Sequence, residues 1–179
     1  MIEVVAVSGS RRERSYTRRS LGIVLDSVAD GPGVETDCVN LAEADLPLYH
    51  PDRDEQGDSE RLTRRVREAE AVVLGSPVYH GSYSSTFRNF HDYCSKDDYR
   101  DTAVGLVATA GGGSYGATLE HMRSTVRGVH GHTVPEQVGI RNASRKYDGD
   151  TLTDADARRR LEELGEAVVE EARRLHPDA

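Results

Sequence analysis

The chain has 179 residues, 31 acidic and 23 basic, which gives a formal net charge of −8 and a sequence pI of about 5.4. This charge argues against nucleic acid or an anionic membrane surface as a main partner. The length fits a single domain over residues 1–179, and no apolar run approaches the length of a membrane span. Because strand-forming residues follow Met1 directly, without a basic leader, we expect a protein of the cytoplasm.

Two further features of the composition carry expectations. Lys96 and Lys146 are the only lysines among the basic residues. Abundant acidic residues with scarce lysine resemble the composition of proteins from salt-loving archaea, so we expect a halophilic, haloarchaeal protein. Cys38 and Cys94 lie far apart and fit neither a disulfide framework nor a zinc site, and we expect each to be a small buried hydrophobic side chain.

The chain opens with a strand and a loop of small and basic residues. Residues 4–7 form an apolar run that predicts a strand buried on both faces, and residues 8–15 predict a loop that turns into a helix. In this loop Gly9 permits a sharp turn, Ser10 and Ser15 offer hydroxyl and N–H groups, and an arginine can fork onto phosphate oxygens at the positive end of the helix dipole. The pattern predicts an anion site; a serine-capped helix whose arginines meet only water is the alternative.

Two other kinds of phosphate loop are excluded. A nucleoside-triphosphate loop needs a lysine, and the first lysine is Lys96. A cysteine phosphatase needs its thiolate inside the loop, and the first cysteine is Cys38. The loop has no nucleophile that would attack a phosphate, so it suits a bound cofactor better than a substrate.

The next elements alternate helix and strand. Residues 21–28 place apolar side chains on one helical face, residues 30–33 end that helix, and the alternation of Val34, Thr36 and Cys38 predicts a second strand. Residues 41–59 form a long polar connection, which we interpret as a candidate lid or contact surface. A short amphipathic helix is expected after it, over residues 62–69.

The rest of the chain continues the same alternation. Residues 71–74 and 103–108 predict buried strands and residues 134–140 a fifth, before a final helix expected to start at Thr153 with Asp156 in a capping box. Five strands alternating with helices predict an α/β fold with a parallel, doubly wound sheet and helices on both faces. Ligands bind at the carboxyl ends of such strands, so the loops after strands one, three and four should meet.

The loop after the third strand, residues 75–82, suits a flat aromatic ligand. Pro77 stiffens the turn, Tyr79 offers an aromatic face, and Gly81 with Ser82 is expected to begin the next helix. A capped helix in which Tyr79 only shields the core is the alternative.

The loop after the fourth strand, residues 109–116, contains the Gly-x-Gly-x-x-Gly spacing at Gly111, Gly113 and Gly116. A dinucleotide fingerprint belongs in the first strand-to-helix turn, with an acidic residue ending the next strand. Here the first turn already holds the predicted anion loop, and Glu136 precedes residues 138–140 of its strand. We therefore interpret these glycines as bare backbone against the edge of a flat ring. A glycine-rich loop without a ligand is the alternative.

The three loops, in this order, resemble those of the NADPH-dependent FMN reductase family, flavodoxin-like proteins that include quinone and azo-dye reductases. The resemblance spans residues 8 to about 135 and implies strand order 2-1-3-4-5 and bound FMN. The residues that match the family's motifs, and are therefore expected to bind the cofactor, are Ser10, Arg12, Ser15, Tyr16, Thr17, Pro77, Val78, Tyr79, His80, Gly81, Ser82, Gly111, Gly112, Gly113 and Gly116. Two departures are His80, where the family has asparagine, and Arg88, where it has lysine.

The resemblance also implies an activity. NADPH or NADH would pass hydride to the flavin, which would pass it to a small acceptor such as a quinone, free flavin, azo compound or ferric complex. The flavin carries this chemistry, so no catalytic side chain is expected, and His130 with His132 lacks the partners of a metal site. The alternative is a flavodoxin-type electron carrier that does not oxidise NAD(P)H itself, although such carriers usually have a threonine-rich phosphate loop.

Members of this family commonly form homodimers or homotetramers. The predicted third helix is richer in aromatic side chains than one packed face needs. We therefore expect an exposed apolar patch on it and a two-fold dimer interface beside the flavin site. The residues of this expected patch are Phe87, Phe90, His91, Tyr93 and Cys94.

Overall fold

The computed structural model describes residues 1–54 and 56–178. Its elements alternate in the predicted way, with three additions: a short 3-10 helix at Lys96–Asp98, and a one-turn helix and a short hairpin before the last helix. In chain order they are β1 (Ile2–Ser8), α1 (Tyr16–Val28), β2 (Val34–Asn40), α2 (Ser59–Glu68), β3 (Ala71–Pro77), α3 (Ser85–Tyr93), β4 (Ala103–Thr109), α4 (Gly116–Gly128), β5 (His132–Ile140), α5 (Ala143–Lys146), β6 (Tyr147–Asp148), β7 (Thr151–Leu152) and α6 (Ala155–Leu175).

The strands β1 to β5 form one parallel sheet in the order β2-β1-β3-β4-β5, which confirms the predicted flavodoxin-like fold. β1 is an inner strand of the sheet, with Ser8 opposite Asn40 of β2 and Gly75 of β3. β3 runs two residues farther, to Pro77 opposite Thr109 of β4. The carboxyl ends of these strands therefore lie along one edge.

Helices cover both faces of the sheet because alternate residues of its strands point to opposite sides. Val4 and Ala6 pack in a core with α1 and α6, whereas Val5 and Val7 pack in a second core with α2, α3 and α4. All four side chains are fully buried, as the apolar run at the start of the chain predicts. Within the described ranges no helix has both the length and the apolar character needed to span a bilayer.

The described residues of the long connection between β2 and α2 form no helix or strand, but α3 holds this segment in place. Asn89 Nδ2 donates to Pro47 O at 2.8 Å, and Asn89 Oδ1 accepts from the backbone N–H of Tyr49 at 3.0 Å. Tyr93 Oη donates to the same Pro47 carbonyl at 2.8 Å, and its ring meets the Tyr49 ring edge-on at 5.1 Å. The buried amide of Gln56 donates to the carbonyls of His50 and Arg53, so the connection is also tied to itself.

The second strand differs from its predicted pattern. Thr36 and Cys38 are exposed, and Val39 is the buried residue instead. β2 is an edge strand, so part of its surface meets solvent. The expectation that both cysteines are buried is therefore wrong for Cys38 and confirmed for Cys94, whose thiol pKa is raised by burial.

The predicted apolar patch on the third helix is wrong. Phe87 and Phe90 are fully buried in the core shared with α2 and α4, and His91 is buried as well. The His91 ring stacks on Phe87 with 5.8 Å between centroids. Phe87, Phe90 and His91 therefore fill the interior, and the half-buried Tyr93 packs against Tyr49 of the connection after β2.

Two helix starts also differ from the predictions. α3 begins at Ser85 rather than at Gly81, because the Ser84 hydroxyl caps it by accepting from the N–H of Phe87 at 3.1 Å. The last helix is capped by Asp154, whose carboxylate accepts from the N–H of Ala157 at 2.8 Å. Thr153 lies outside this helix and donates its hydroxyl to the carbonyl of Lys146.

Candidate functional site

The loops after β1, β3 and β4 meet around one cavity of about 160 Å³ at the carboxyl edge of the sheet, as predicted. The loop after β5 closes its remaining side. Eight of the predicted residues line it, namely Ser10, Arg12, Tyr16, Thr17, Pro77, Val78, Tyr79 and Gly111. Four lining residues were not predicted, namely Thr109, Ala110, Ala143 and Ser144.

The first loop is fastened to its neighbours before it reaches the cavity. Gly9 N donates to Gly75 O at 2.8 Å, and the Ser84 hydroxyl donates to Gly9 O at 2.6 Å. Ser15 begins α1 as its N-cap, with its hydroxyl accepting from the N–H of Arg18 at 3.1 Å. Ser15 is buried and does not line the cavity, so its observed role is to cap the helix.

Arg12 differs from the neighbouring arginines of α1. Arg18 donates to Glu13 O, and Arg19 donates to Gly149 O and pairs with Asp150. In the described part of the chain the guanidinium groups of Arg11, Arg12 and Arg14 make no hydrogen bond or ion pair, and of these three residues only Arg12 lines the cavity. A positive charge without an internal partner, close to the first turn of a helix, favours an anionic ligand.

Two buried hydroxyls lie beside this charge. Ser10 is buried, and its hydroxyl accepts weakly from the N–H of Arg12 at 3.4 Å. Thr17 is buried in the first turn of α1, and its Oγ1 lies 2.6 Å from Oγ1 of Thr109. A cation and hydroxyl donors therefore face the same end of the cavity.

The Tyr16 wall is supported from behind. Its ring packs against Tyr147 with 5.1 Å between centroids, and the Tyr147 hydroxyl lies 2.7 Å from Oγ of Ser20. Burial raises the pKa of Tyr147, so this group stays a neutral phenol at physiological pH. The β6–β7 hairpin that carries Tyr147 thus supports the side of the cavity formed by the start of α1.

The loop after β3 is a tight turn rather than the start of a helix. Tyr79 N donates to Ser82 O at 2.8 Å and Ser82 N donates to Tyr79 O at 3.0 Å. His80 and Gly81 both have positive φ, 51° and 76°, and histidine tolerates this region better than most residues. Tyr79 lines the cavity and stays 46% exposed, whereas His80, Gly81 and Ser82 do not line it.

The turn is also tied to α4. The Ser82 hydroxyl lies 2.9 Å from Nδ1 of His121. Of the residues in this turn, Tyr79 is the one whose side chain lines the cavity.

The glycine-rich loop contributes bare backbone at one point. Gly111 lines the cavity, whereas Gly112, Gly113 and Gly116 do not. Gly112 O accepts from Nε of Arg141 at 2.9 Å, which ties this loop to the one after β5, and Gly116 is the first residue of α4.

The side of the cavity formed after β5 was missed by sequence reasoning. Ala143 N donates to Ala110 O at 3.0 Å, which draws Ala143 and Ser144 against the end of β4. Only the position of β5 in the sheet could have predicted this contribution, because β5 is the neighbour of β4 and its carboxyl end lies at the same edge. No group of three potential metal ligands occurs among the described residues, and His132 begins β5 at the opposite end of the sheet.

Comparison with known proteins agrees with this geometry. Residues 2–145 match the family model for NADPH-dependent FMN reductases. The NADPH azoreductase of Bacillus sp. strain OY1-2 is 32% identical over 158 residues, which cover 86% of this chain and 84% of that protein. The FMN-dependent NADPH-azoreductase of Staphylococcus haemolyticus is 31% identical over 153 residues, covering 82% of this chain and 81% of that protein.

Solved structures share the fold at lower identity. The FerB NAD(P)H:(acceptor) oxidoreductase of Paracoccus denitrificans superposes with a TM-score of 0.74 at 19% identity, over 97% of this chain and 98% of that one. RosB superposes with a TM-score of 0.82 at 13% identity, over 99% and 81%. From the family match and the azoreductase relatives, together with the three loops that meet at the sheet edge, the chain belongs to the NADPH-dependent FMN reductase family.

Proposed function

We propose that the cavity binds FMN, with the phosphate at the Arg12 end and the ring toward Tyr79 and Gly111. As a member of its family the chain is an FMN-dependent NAD(P)H oxidoreductase. The observation that carries the binding proposal is the Arg12 guanidinium, which has no internal partner in the described chain and lines the cavity beside Ser10 and Thr17. This donor set matches a phosphate, which offers only acceptors when doubly ionised.

The remaining lining residues suit a flavin ring that is only partly enclosed. Tyr79 supplies an aromatic face, and Gly111 supplies backbone with no atom within 4 Å of the point where a side chain would begin. The volume of about 160 Å³ is below the roughly 300–1,000 Å³ of pockets that enclose a ligand. A flavin held here by its phosphate would therefore keep part of its ring accessible, as exchange of a second ligand requires.

The chain's own residues bind and orient rather than react. When bound, FMN supplies hydride acceptance from NAD(P)H and donation to the acceptor. Among the described lining residues the ionisable side chains are Arg12, Tyr16 and Tyr79, and none of these is a carboxylate, histidine or cysteine. Arg12, Ser10 and Thr17 would hold the phosphate, and the walls would exclude water from one side of the ring.

The proposal is tested by the flavin content and activity of the purified protein. We expect a yellow protein that releases FMN on denaturation, not FAD, because one cluster of phosphate-binding groups lines the cavity. Addition of NADPH and a quinone or azo dye should oxidise NADPH directly. Failure to bind FMN after reconstitution in high salt contradicts the binding proposal, and bound FMN without NADPH oxidation indicates the flavodoxin-type carrier instead.

For the acceptor we propose an azo compound or a quinone. Relatives that are similar over most of this chain are azoreductases by name, and the open, largely uncharged lining would admit flat aromatic molecules. Relative kcat/KM for an azo dye, a quinone, free FMN and a ferric complex ranks the candidates. If the protein does not accelerate reduction of an azo dye by NADPH, an azo compound is excluded as the acceptor.

We also propose a homodimer, with its interface relocated from α3 to the connection after β2. Leu48 is 84% exposed and Tyr49 44% exposed, although α3 holds both in a fixed segment. Leu48 lines a shallow surface pocket with Arg11, the neighbour of Arg12 in the phosphate loop. An apolar side chain held in solvent beside the site supports a second copy as its partner, and light scattering measures the mass.

Two proposals concern the setting of the protein. The acidic surface with scarce lysine supports function in concentrated salt, which thermal unfolding in dilute and molar salt tests. An equal melting temperature in both would contradict it. We further propose a cytoplasmic location, where NADPH is available, which fractionation of the source cells would check.

A further inference from the structure

Two threonine hydroxyls meet at the floor of the cavity. Thr17, in the first turn of α1, and Thr109, the last residue of β4, have their Oγ1 atoms 2.6 Å apart. The two residues are 1% and 7% exposed, and both line the cavity. Thr109 was not expected in the site from the sequence.

The orientation of Thr17 is fixed by packing on its other branch. Its methyl group lies against β3, because a side chain built on Gly75 would place its Cβ only 2.9 Å from Thr17 Cγ2. With the methyl on that side, Oγ1 faces Thr109. The fold thus sets the positions of the two oxygen atoms, and a bound ligand can set the direction of the hydroxyl protons.

One hydrogen bond between two hydroxyls uses one proton and leaves the other free. If Thr109 donates to Thr17, the Thr17 proton is free to donate elsewhere. If Thr17 donates, it has no proton left for a ligand. An anion at the start of α1 accepts hydrogen bonds only, and therefore favours the first arrangement.

We propose that Thr109 is a positioning residue that donates to Thr17 and so directs the Thr17 hydroxyl proton to the FMN phosphate. This inference rests on the proposed FMN site. The relay links the end of β4, which carries the ring loop, to the phosphate loop after β1. It acts on the phosphate and not on the ring.

The test compares FMN with riboflavin, which has the same ring and no phosphate. Flavin is removed from the full-length protein and the dissociation constants are measured by fluorescence titration. Thr109→Val keeps the shape and removes the hydroxyl, and should raise the Kd for FMN about five- to tenfold, with the Kd for riboflavin changed less than about twofold. Thr109→Ser restores the hydroxyl and should bind FMN within about twofold of the wild type.

A double-mutant cycle separates the relay from independent contacts. In a Thr17→Val background the relay has no recipient, so adding Thr109→Val should weaken FMN binding no further. Additive losses overturn the relay, as does an equal loss of riboflavin, which would assign Thr109 to the shape of the cavity. If Thr109→Val does not fold, Thr109→Ala takes its place in the same comparison.

The proposed function fails separately from this inference. A wild-type protein that binds no FMN contradicts the FMN site, and the relay falls with it. A wild-type protein that binds FMN tightly, with Thr109→Val unchanged, contradicts the relay alone.

Discussion

Replacement of Arg12 by alanine should weaken FMN binding more than any other single change in the phosphate loop. A hydrogen bond to a charged group contributes about 1.5–3 kcal/mol. Arg12 is exposed, so solvent screens its charge and the lower half of this range applies. We therefore expect a loss of about 1.5–2 kcal/mol, or roughly a 10- to 30-fold higher Kd.

The sequence offers a matched control one residue away. Arg11 is also exposed and basic, but it lines the surface pocket beside Leu48 rather than the cavity. Arg11→Ala removes the same charge from the same loop and should change the Kd by less than about threefold, through long-range electrostatics alone. Arg12→Lys keeps the charge but loses the fork, and should fall between the wild type and Arg12→Ala.

Fluorescence titration with FMN and riboflavin measures these differences. It should be run at the lowest salt concentration that keeps the protein folded, because salt screens exposed charges. Riboflavin binding should be nearly equal in all the variants. Equal FMN affinity in the Arg12→Ala variant and the wild type would show that the guanidinium points to solvent. An equal loss in Arg11→Ala would show that net charge, and not a contact, is responsible.

The remaining predictions concern assembly, packing and pH. Leu48→Glu should convert a dimer into particles with the 19.7 kDa mass of one chain by light scattering, and a surviving dimer would place the interface elsewhere. Gly139→Ala should cost about 1–3 kcal/mol in urea unfolding, because the new methyl group would collide with the Tyr115 ring, whereas Gly113→Ala has free space and should be close to neutral. An equal cost for both alanines would contradict that account. Burial lowers the pKa of His91 below its ordinary value near 6.5, so as the pH falls this histidine is protonated in the unfolded chain before it is protonated in the folded protein. The free energy of unfolding should therefore decrease below about pH 6.5. His91→Phe should lessen that decrease, as measured by urea unfolding.

Much of the fold follows from local patterns in the sequence. The apolar run at Val4 to Val7 buries all of its side chains only when both faces of the strand are covered, and this predicts β1 as an inner strand with a core on each face. The loops that carry Arg12, Tyr79 and Gly111 each follow a buried strand, so parallel topology alone brings them together. These parts of the site could be predicted because each depends on one segment and a common edge.

The features that were missed depend on neighbours distant in sequence. Phe90 looks like a surplus aromatic residue on its helix, and only the positions of α2 and α4 show that this side is buried. Cys38 alternates as a buried strand residue would, but β2 is an edge strand. Ser144 has no motif of its own and reaches the cavity because Ala143 bonds to the end of β4. Strands of two residues, such as Tyr147–Asp148, are too short to show a period.

The fastening of the connection after β2 has a consequence for turnover. An enzyme that accepts hydride from one molecule and delivers it to another must admit and release two ligands in every cycle. A segment that ordered around each ligand would cost roughly 1–2 kcal/mol per residue at every entry. Asn89, Tyr93 and Gln56 already hold this segment. Its conformational entropy is therefore lost when the protein folds, and not again each time a ligand binds. We therefore expect no slow phase in either half-reaction that arises from ordering of this segment.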